Sequence, residues 1–362
     1  MRTVHLAFTV PLGETRMWRA VERAATLAHL PPPYRNAWDP LVPWQHPIRA
    51  PHSISYNLMR AIRARGHTVR LYRYFEQTVA SIRPGDIFIG QPMPSGGFGD
   101  TRSSTDDRSA VASRTIREFP SERNYILMPY AHDEQYSGFL RGIAGENAKA
   151  GGGAIFIGGK IWERDWETRS PLAPLGALRK VHLTSMGIDV AEYPFVKKNF
   201  NPKGKRRYIY IGHTSWYKNT AELERIAKQM PGYEFAHIGG GEIKGWKKLS
   251  NFAVMTPAYA AKLAEEYDIF VNTSTADPQA TTIIEQMSYG LSVACTPETG
   301  YDYPSLTLLS TNDTDANVYK LLALQQVDEA ELLATAQVNR RIVEQGHTWK
   351  QFTDKALDFL GI

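Results

Sequence analysis

The sequence lacks the features that mark secreted, membrane-spanning and disulfide-stabilised proteins. One cysteine, Cys295, occurs among 362 residues, which excludes an internal disulfide and favours a reducing, cytoplasmic location. No apolar run approaches the ~20 residues that a membrane-spanning helix needs. The first residues predict a core strand and not a signal peptide, and no repeat of fixed period is visible. We therefore expect a globular, cytoplasmic protein.

Acidic residues are absent from one strongly basic segment. The net charge of the chain is +5, and residues 197–207 contain six basic side chains without an acid. Such a segment suits a nucleotide diphosphate, an anionic lipid surface or nucleic acid, although a solvated basic linker explains it at least as well. Nucleic acid is the weakest of these partners, because zinc-ligand spacings, helix-turn-helix signatures and RNA-binding aromatic motifs are missing. Peripheral contact with the inner face of a membrane stays open as an alternative.

What the chain does contain is an alternation of strands and helices, over a length natural for two domains. This alternation predicts parallel sheets with helices on both faces. The predicted strands cover residues 4–10, 68–72, 86–89, 125–128, 154–157 and 181–184 in the first half, and 208–211, 234–237, 253–255, 269–272, 293–295 and 306–309 in the second. The predicted helices cover residues 53–65, 109–118, 220–229, 259–266, 280–289, 315–324, 329–344 and 349–359.

Residues 12–51 interrupt this rhythm. After a predicted helix at 14–30, the segment is rich in proline, which neither a regular helix nor a regular strand accommodates. Its side chains Trp38 and Trp44 suit stacking on a sugar or contact with a lipid interface. Packing of a surface loop on its own domain is the slightly favoured alternative.

The most informative stretch runs from Asp277 to Gly290. A predicted strand and a polar turn lead into a helix, and Glu285 follows Asp277 with seven residues between the two acids. The first turn of a helix has unpaired N–H groups and a partial positive charge, which suit a phosphate. Helical side chains lean toward the N-terminus, so the Glu285 carboxylate reaches toward such a ligand and suits two hydroxyls of a ribose. A helix cap and a surface acid are the ordinary alternative, with about half the weight.

Further polar residues and glycines follow other predicted strands. Lys218 comes after a strand and a turn, where its ammonium suits a diphosphate, and His213 offers a hydrogen-bond donor just before it. Glycines 239 to 241 allow the backbone to approach a nucleotide closely, although an ordinary turn also favours glycine. His132 follows a predicted strand of the first half and suits a sugar hydroxyl, with a purely structural histidine as the even alternative.

In this order, the segments resemble the retaining glycosyltransferases of the GT-B fold, glycosyltransferase family four in particular. The stretch IIEQMSYGLSVACT is close to the family's LEAMACGxPVVAT, and the family's acid-x(seven)-Glu motif corresponds to Asp277 and Glu285. The segments 186–189, 212–218 and 233–241 resemble further family segments, so the resemblance extends through most of the C-terminal half. Two positions depart from the family, because Asp277 stands in place of the usual glutamate and His213 in place of an arginine.

The resemblance implies an α/β fold of GT-B architecture, in which two Rossmann-like, doubly wound domains face each other across a cleft. It implies an acceptor-side domain at residues 1–198 with the insertion at 12–51, a donor-binding domain at 199–345, and a helix at 346–362 that crosses back to the first domain. The implied catalytic residues are Asp277, His132 and Lys218. The implied donor-binding residues are Gly212, His213, Lys218, Gly239, Gly240, Ser274, Thr275, Gln279, Ala280, Thr281, Thr282 and Glu285. The implied acceptor-binding residues are Gly13, Trp38, Trp44 and His52.

The implied activity is transfer of a sugar, with retention at the anomeric carbon, from a nucleotide-diphosphate sugar as co-substrate. The acceptor is a hydroxyl of a glycan, a lipid-linked glycan or a small molecule, as in polysaccharide biosynthesis. Since Asp106-Asp107 lies in a serine-rich polar stretch and not at a strand end, we expect no metal and no bound cofactor, with helix N–H groups and basic side chains stabilising the leaving group. A nucleotide-sugar epimerase of the same layout and a non-catalytic nucleotide-sugar-binding protein remain alternatives.

Overall fold

The computed structural model describes residues 2–8, 52–73, 82–92, 111–128, 134–168, 178–251, 253 and 255–362. The chain divides into two compact units. The first comprises Met1–Phe156, Trp166–His182 and Thr353–Ile362, and the second comprises Ile157–Asp165 and Leu183–Phe352. Among the described residues, no helix is both long and apolar enough to span a bilayer.

The first unit is built on a parallel six-stranded sheet with the order β2-β1-β3-β4-β5-β6. Its inner strands are mostly apolar and buried, as expected for a sheet covered on both faces. In chain order the strands are Thr3–Phe8 (β1), Thr68–Arg73 (β2), Ile87–Gly90 (β3), Asn124–Met128 (β4), Gly153–Ile157 (β5) and Arg179–Leu183 (β6).

The second unit is built on another six-stranded sheet, with the order β12-β11-β10-β7-β8-β9. Its strand pairs are parallel, and its core joins Tyr208, Leu223, Ile226 and Val271 to Trp246. In chain order the strands are Tyr208–Ile211 (β7), Phe235–Ile238 (β8), Lys247–Ser250 (β9), Ile269–Asn272 (β10), Ser292–Cys295 (β11) and Thr307–Leu308 (β12). Burial raises the pKa of the Cys295 thiol to about 12, so this cysteine is unreactive at neutral pH.

Ten α-helices lie within the described residues. Those before β7 are His52–Ala64 (α1), Val111–Glu118 (α2), Glu134–Lys149 (α3) and Lys160–Thr168 (α4). Those after it are Thr220–Gln229 (α5), Pro257–Glu266 (α6), Thr281–Tyr289 (α7), Thr314–Gln326 (α8), Glu329–Gly346 (α9) and Trp349–Leu360 (α10). Helix α10 begins in the second unit and ends in the first, where Arg65 pairs with Asp354 at 3.1 Å and with Asp358 at 3.0 Å.

The predicted doubly wound α/β architecture is confirmed. One predicted strand is wrong: residues Ala253 and Met255 lie outside any strand, and the neighbour of β8 is β9, Lys247–Ser250. The apolar run after residue 251 attracted the prediction, whereas the true strand is polar. Strand β9 pairs with β8 alone and stands at the sheet edge, and charged, half-exposed side chains are common on edge strands.

Most of the basic segment at 197–207 holds the second unit together. Lys197 is completely buried, and its ammonium donates to the carbonyls of Ala264 and Tyr267 and to the Asp268 carboxylate. Arg206 is also buried and donates to two carbonyls at the C-terminal end of α8. Lys203 pairs with Asp328 at 2.7 Å and Arg207 with Glu234 at 3.1 Å. Four of the six basic side chains therefore have structural partners.

Candidate functional site

The strand order of the second sheet reverses between β7 and β10. From β7 the chain proceeds to β8 and β9 on one side, and from β10 to β11 and β12 on the other. Ligands of doubly wound proteins bind at the carboxyl ends of the strands at this reversal, because the two outgoing loops separate there. In this chain the two loops are residues 212–219 after β7 and residues 273–280 after β10.

Each loop contributes one member of an ion pair. The Lys218 ammonium bonds to Oδ2 of Asp277. The side chains keep 12% and 9% of their surface exposed, so both are largely removed from water and still reachable at the loop surface. Lys218 also lies 5.3 Å from the ring centroid of Tyr217. Two residues that were predicted as catalytic thus meet, although 59 positions separate them in the chain.

Backbone hydrogen bonds fasten the two loops to each other. The carbonyl of Tyr217 accepts from the backbone N–H of Thr275 at 2.8 Å and from its hydroxyl at 3.3 Å. The carbonyl of Asn219 accepts from the hydroxyl of Thr273 at 3.1 Å. Thr275, predicted to bind the donor, therefore joins the loops. Ser274 is fully buried, and its hydroxyl donates to Asn272 at 2.6 Å.

Helix α7 begins directly behind the ion pair. Its N-cap residue is Ala280, which has no side chain that can accept from the first turn. The backbone N–H of Ile283 bonds to the Ala280 carbonyl at 3.0 Å, while those of Thr281 and Thr282 take no partner among the described residues. These N–H groups and the positive end of the helix dipole are available to an anion.

The turn that leads into α7 is held from behind. The backbone N–H groups of Asp277 and Ala280 donate to the carbonyls of Glu298 and Thr299, each at 3.1 Å. The Pro278 carbonyl accepts from the backbone N–H of Gly159 at 2.8 Å. A Cβ on Gly300, which has φ +90°, would overlap the Pro278 carbonyl, and one on Gly159 would overlap Gly300. These close approaches require glycine and fix the backbone of residues 277–280.

Glu285 lies one turn further into α7 and is 7% exposed. The hydroxyl of Tyr193 is 3.5 Å from its Oε1 atom, at the outer limit of a hydrogen bond. Tyr193 comes from the segment between β6 and β7, 92 residues earlier. The second acid of the motif is therefore a largely buried carboxylate and not a solvated surface acid.

His213 has a defined proton arrangement. Its Nδ1 atom accepts from the backbone N–H of Ser215 at 3.3 Å, which assigns the ring proton to Nε2. Nε2 is 3.1 Å from the Tyr217 hydroxyl and donates to it. Loss of water around the ring, and then the Lys218 cation, lower the pKa of His213. The ring is therefore neutral at physiological pH, and it supplies a single N–H where an arginine would supply a charged fork.

The glycines after β7 and β8 bring two further turns together. Gly239 has φ +151°, and a Cβ there would overlap the carbonyl of Gly212. Gly240 has open space around it and is exposed. The backbone of both loops is thus accessible at the same carboxyl end of the sheet as Lys218.

Five further predicted site residues belong to the first half of the chain. His132, Gly13, Trp38 and Trp44 lie outside the described residues, and His52 is the first residue of α1. The sequence predictions also missed Tyr217, Tyr193, Gly159 and Gly300. No motif points to the two tyrosines, because their contacts join irregular segments that are distant in sequence.

Known structures share this architecture. No family model matches the sequence, and no curated protein matches it. WaaG, a glycosyltransferase involved in lipopolysaccharide biosynthesis, aligns over 99% of this chain and 99% of its own length, with a TM-score of 0.57 and 12% identity. Sucrose-phosphate synthase from Thermosynechococcus elongatus aligns over 99% and 98%, with a TM-score of 0.58 and 12% identity. This chain has the GT-B fold.

TarM of S. aureus is a further match, with a TM-score of 0.52 and 12% identity. The alignment covers 71% of this chain, which spans 59% of the length of TarM. Similarity at this level of identity establishes the GT-B fold, which hosts different activities, so the activity of this chain has to be argued from its site.

Proposed function

We propose that the protein is a glycosyltransferase that uses a nucleotide-diphosphate sugar as donor. The observation that carries this proposal is the placement of the Lys218–Asp277 pair beside the uncapped N-terminus of α7, at the strand reversal of a GT-B sheet. A cation and unpaired helix N–H groups at one point suit a diphosphate leaving group, whose developing charge they stabilise.

The remaining residues have roles in the same donor site. Glu285, held near Tyr193, accepts hydrogen bonds from the hydroxyls of the ribose. Asp277 acts on the transferred sugar. The single N–H of the neutral His213 ring, which bonds to the Tyr217 hydroxyl in this structure, turns to the diphosphate when the donor binds. The exposed Gly240 allows the backbone to approach the nucleotide. The family resemblance supports retention at the anomeric carbon.

The acceptor is a hydroxyl of a glycan, a lipid-linked glycan or a small molecule. A TarM variant has been solved with UDP and α-GlcNAc-glycerol, and WaaG is involved in lipopolysaccharide biosynthesis, so nucleotide and saccharide ligands occur among proteins of this fold. We assign the acceptor to the first domain, with His52 and the insertion at 12–51, and we assign His132 to a hydroxyl of the transferred sugar. Replacing Trp38 and Trp44 with alanine tests the acceptor assignment, since it is expected to raise the acceptor KM or lower kcat and to leave donor affinity near that of the wild type.

The proposal is tested with a panel of UDP-, ADP-, GDP- and dTDP-sugars. A bound donor at about a hundred times its Kd stabilises the protein by ~2.7 kcal/mol, which a thermal shift detects. The best donor is then incubated with and without candidate acceptors, in buffer with excess EDTA. Transfer that survives EDTA supports metal-independent chemistry, and epimerised donor without acceptor supports the epimerase. Tight binding without turnover supports the binding protein, and no stabilisation by any donor contradicts all three.

A further inference from the structure

The Lys218–Asp277 pair is incompletely satisfied on both sides. Lys218 has three protons to donate, and the Asp277 contact is its one hydrogen bond among the described residues. Asp277 accepts this bond through Oδ2, and its Oδ1 atom accepts no hydrogen bond from any residue that the structure describes. Each member of the pair therefore retains capacity for another partner, in a position that keeps some surface exposed.

The backbone around this pair is fixed, whereas the two side chains can rotate. Three backbone hydrogen bonds hold residues 277–280 from behind, and two bonds from Thr275 hold the carbonyl of Tyr217. Separating Asp277 from Lys218 thus requires rotation about side-chain bonds and no loop movement.

Lys218 is the cation best placed to bind an incoming diphosphate, and it is already paired with the Asp277 carboxylate. The uncapped first turn of α7 directs the diphosphate toward residues 280–282, next to Asp277. The Asp277 carboxylate competes with a ligand phosphate for Lys218. A diphosphate carries more charge and more acceptor atoms than a carboxylate, so the ammonium gains by the exchange.

We propose that Asp277 competes with the ligand diphosphate for Lys218, so that donor binding exchanges an internal ion pair for a lysine–phosphate pair. This inference rests on the proposed function. The exchange also releases the Asp277 carboxylate for the transferred sugar. Asp277 therefore lowers the affinity for the nucleotide while it serves the reaction.

The test measures binding of UDP, ADP, GDP and dTDP by titration calorimetry. For the nucleotide that binds, Asp277→Asn is expected to bind about three- to fivefold more tightly than the wild type, while its transfer rate falls. In a Lys218→Met background the same substitution is expected to change affinity less than twofold. Glu234→Gln, which removes the acid of a surface pair at the other end of the sheet, is the matched control and leaves affinity unchanged.

Three outcomes overturn the exchange. Unchanged or weaker nucleotide binding by Asp277→Asn overturns the exchange, and so does an equal gain in the Lys218→Met background. A gain that extends to the uncharged nucleoside also overturns it, since a nucleoside has no phosphate for Lys218. Failure of every nucleoside diphosphate to bind both wild type and Asp277→Asn contradicts the proposed function itself, whereas normal transfer without the affinity gain contradicts the exchange alone.

Discussion

Strand β10 has a lysine–aspartate pair at each end, and the two pairs differ in burial and in the number of hydrogen bonds that they make. Lys197–Asp268 lies before the strand, is completely buried and has N···O 2.9 Å. Its ammonium has three acceptors, and its carboxylate also accepts from Arg207 N–H and from two groups of Asn201. Lys218–Asp277 lies after the strand, is partly exposed and has one contact.

The comparison separates a structural ion pair from a functional one. A buried pair is tolerated when further hydrogen bonds satisfy both charges, and removing one partner then leaves an uncompensated charge. A pair with unused hydrogen-bond donors and acceptors at the carboxyl end of the strands is tolerated because a ligand or water can bond to them. The same two residue types therefore hold the linker to the second sheet at one end and form the candidate donor site at the other.

The largest expected effect comes from breaking the amino-end pair. Lys197→Met leaves Asp268 buried with an unpaired charge and is expected to lower the free energy of unfolding by about 3–5 kcal/mol. Chemical denaturation measures this loss. Nucleotide affinity of the remaining folded protein is expected to equal that of the wild type, and a specific loss of affinity in stable protein would contradict the structural role.

Breaking the carboxyl-end pair is expected to have the opposite profile. Lys218→Met removes a charged hydrogen bond to the diphosphate, which is worth about 1.5–3 kcal/mol, or about 10- to 100-fold in Kd. The free energy of unfolding is expected to fall less than in Lys197→Met, because the Asp277 carboxylate keeps some contact with water at the loop surface. Calorimetry and denaturation of one preparation test both statements, and a large stability loss with unchanged Kd would reverse the assignment of the two pairs.

Glu285 sharpens the comparison within the carboxyl-end site. Glu285→Ala removes a carboxylate that accepts from ribose hydroxyls, and it is expected to weaken donor binding by about 1–3 kcal/mol. The matched measurement uses a 2′,3′-dideoxy analogue of the best nucleotide, which lacks these hydroxyls. Its affinity is expected to be equal in wild type and variant, and equal losses for both ligands would assign Glu285 to the fold.

The smallest expected effect is a loss of stability at acidic pH, which we attribute to His347, a residue that takes part in neither ion pair. His347 accepts from the Tyr303 hydroxyl at 2.7 Å and bonds the Met186 carbonyl at 2.9 Å. Burial lowers its pKa below the ordinary value of 6.5, so the unfolded chain takes up a proton that the folded chain refuses. The free energy of unfolding therefore falls as the pH drops from 6.5 toward the lowered pKa, and it is retained above 6.5.

Thermal melting between pH 7.5 and 5 measures this effect. His347→Gln keeps hydrogen-bonding capacity without a titrating group, so the decline of its Tm with falling pH is expected to be shallower than that of the wild type. Parallel curves would assign the acid sensitivity to other groups.

The sequence predicted the features that depend on local periodicity. Eleven of the twelve strands fall within a few residues of their predicted positions, because buried parallel strands are short apolar runs between polar turns. The motif from Asp277 to Gly290 also predicted a helix at 280–289, and α7 covers Thr281–Tyr289. Strand β9 was missed, since an edge strand lacks the apolar signal.

Contacts between irregular segments that are distant in the chain could not be predicted from the sequence. The burial of Lys197 depends on Asp268, 71 residues away, and basic composition alone indicated a solvated linker. The bond from the Thr275 hydroxyl to the Tyr217 carbonyl joins two loops that are 58 positions apart. Such pairings depend on the tertiary fold, and no pattern in one sequence reports them.

The most direct test of the account is peptide-resolved hydrogen exchange with and without the best nucleotide-sugar donor. The account predicts slower exchange of backbone amides in residues 212–219 and 273–285, at the carboxyl ends of β7 and β10, because a bound diphosphate occupies the N–H groups of the first turn of α7. Residues 194–207 and 264–268, at the amino end, are expected to exchange at the same rate in both samples. Protection confined to the amino end, or absent from both ends in the presence of saturating donor, would contradict it.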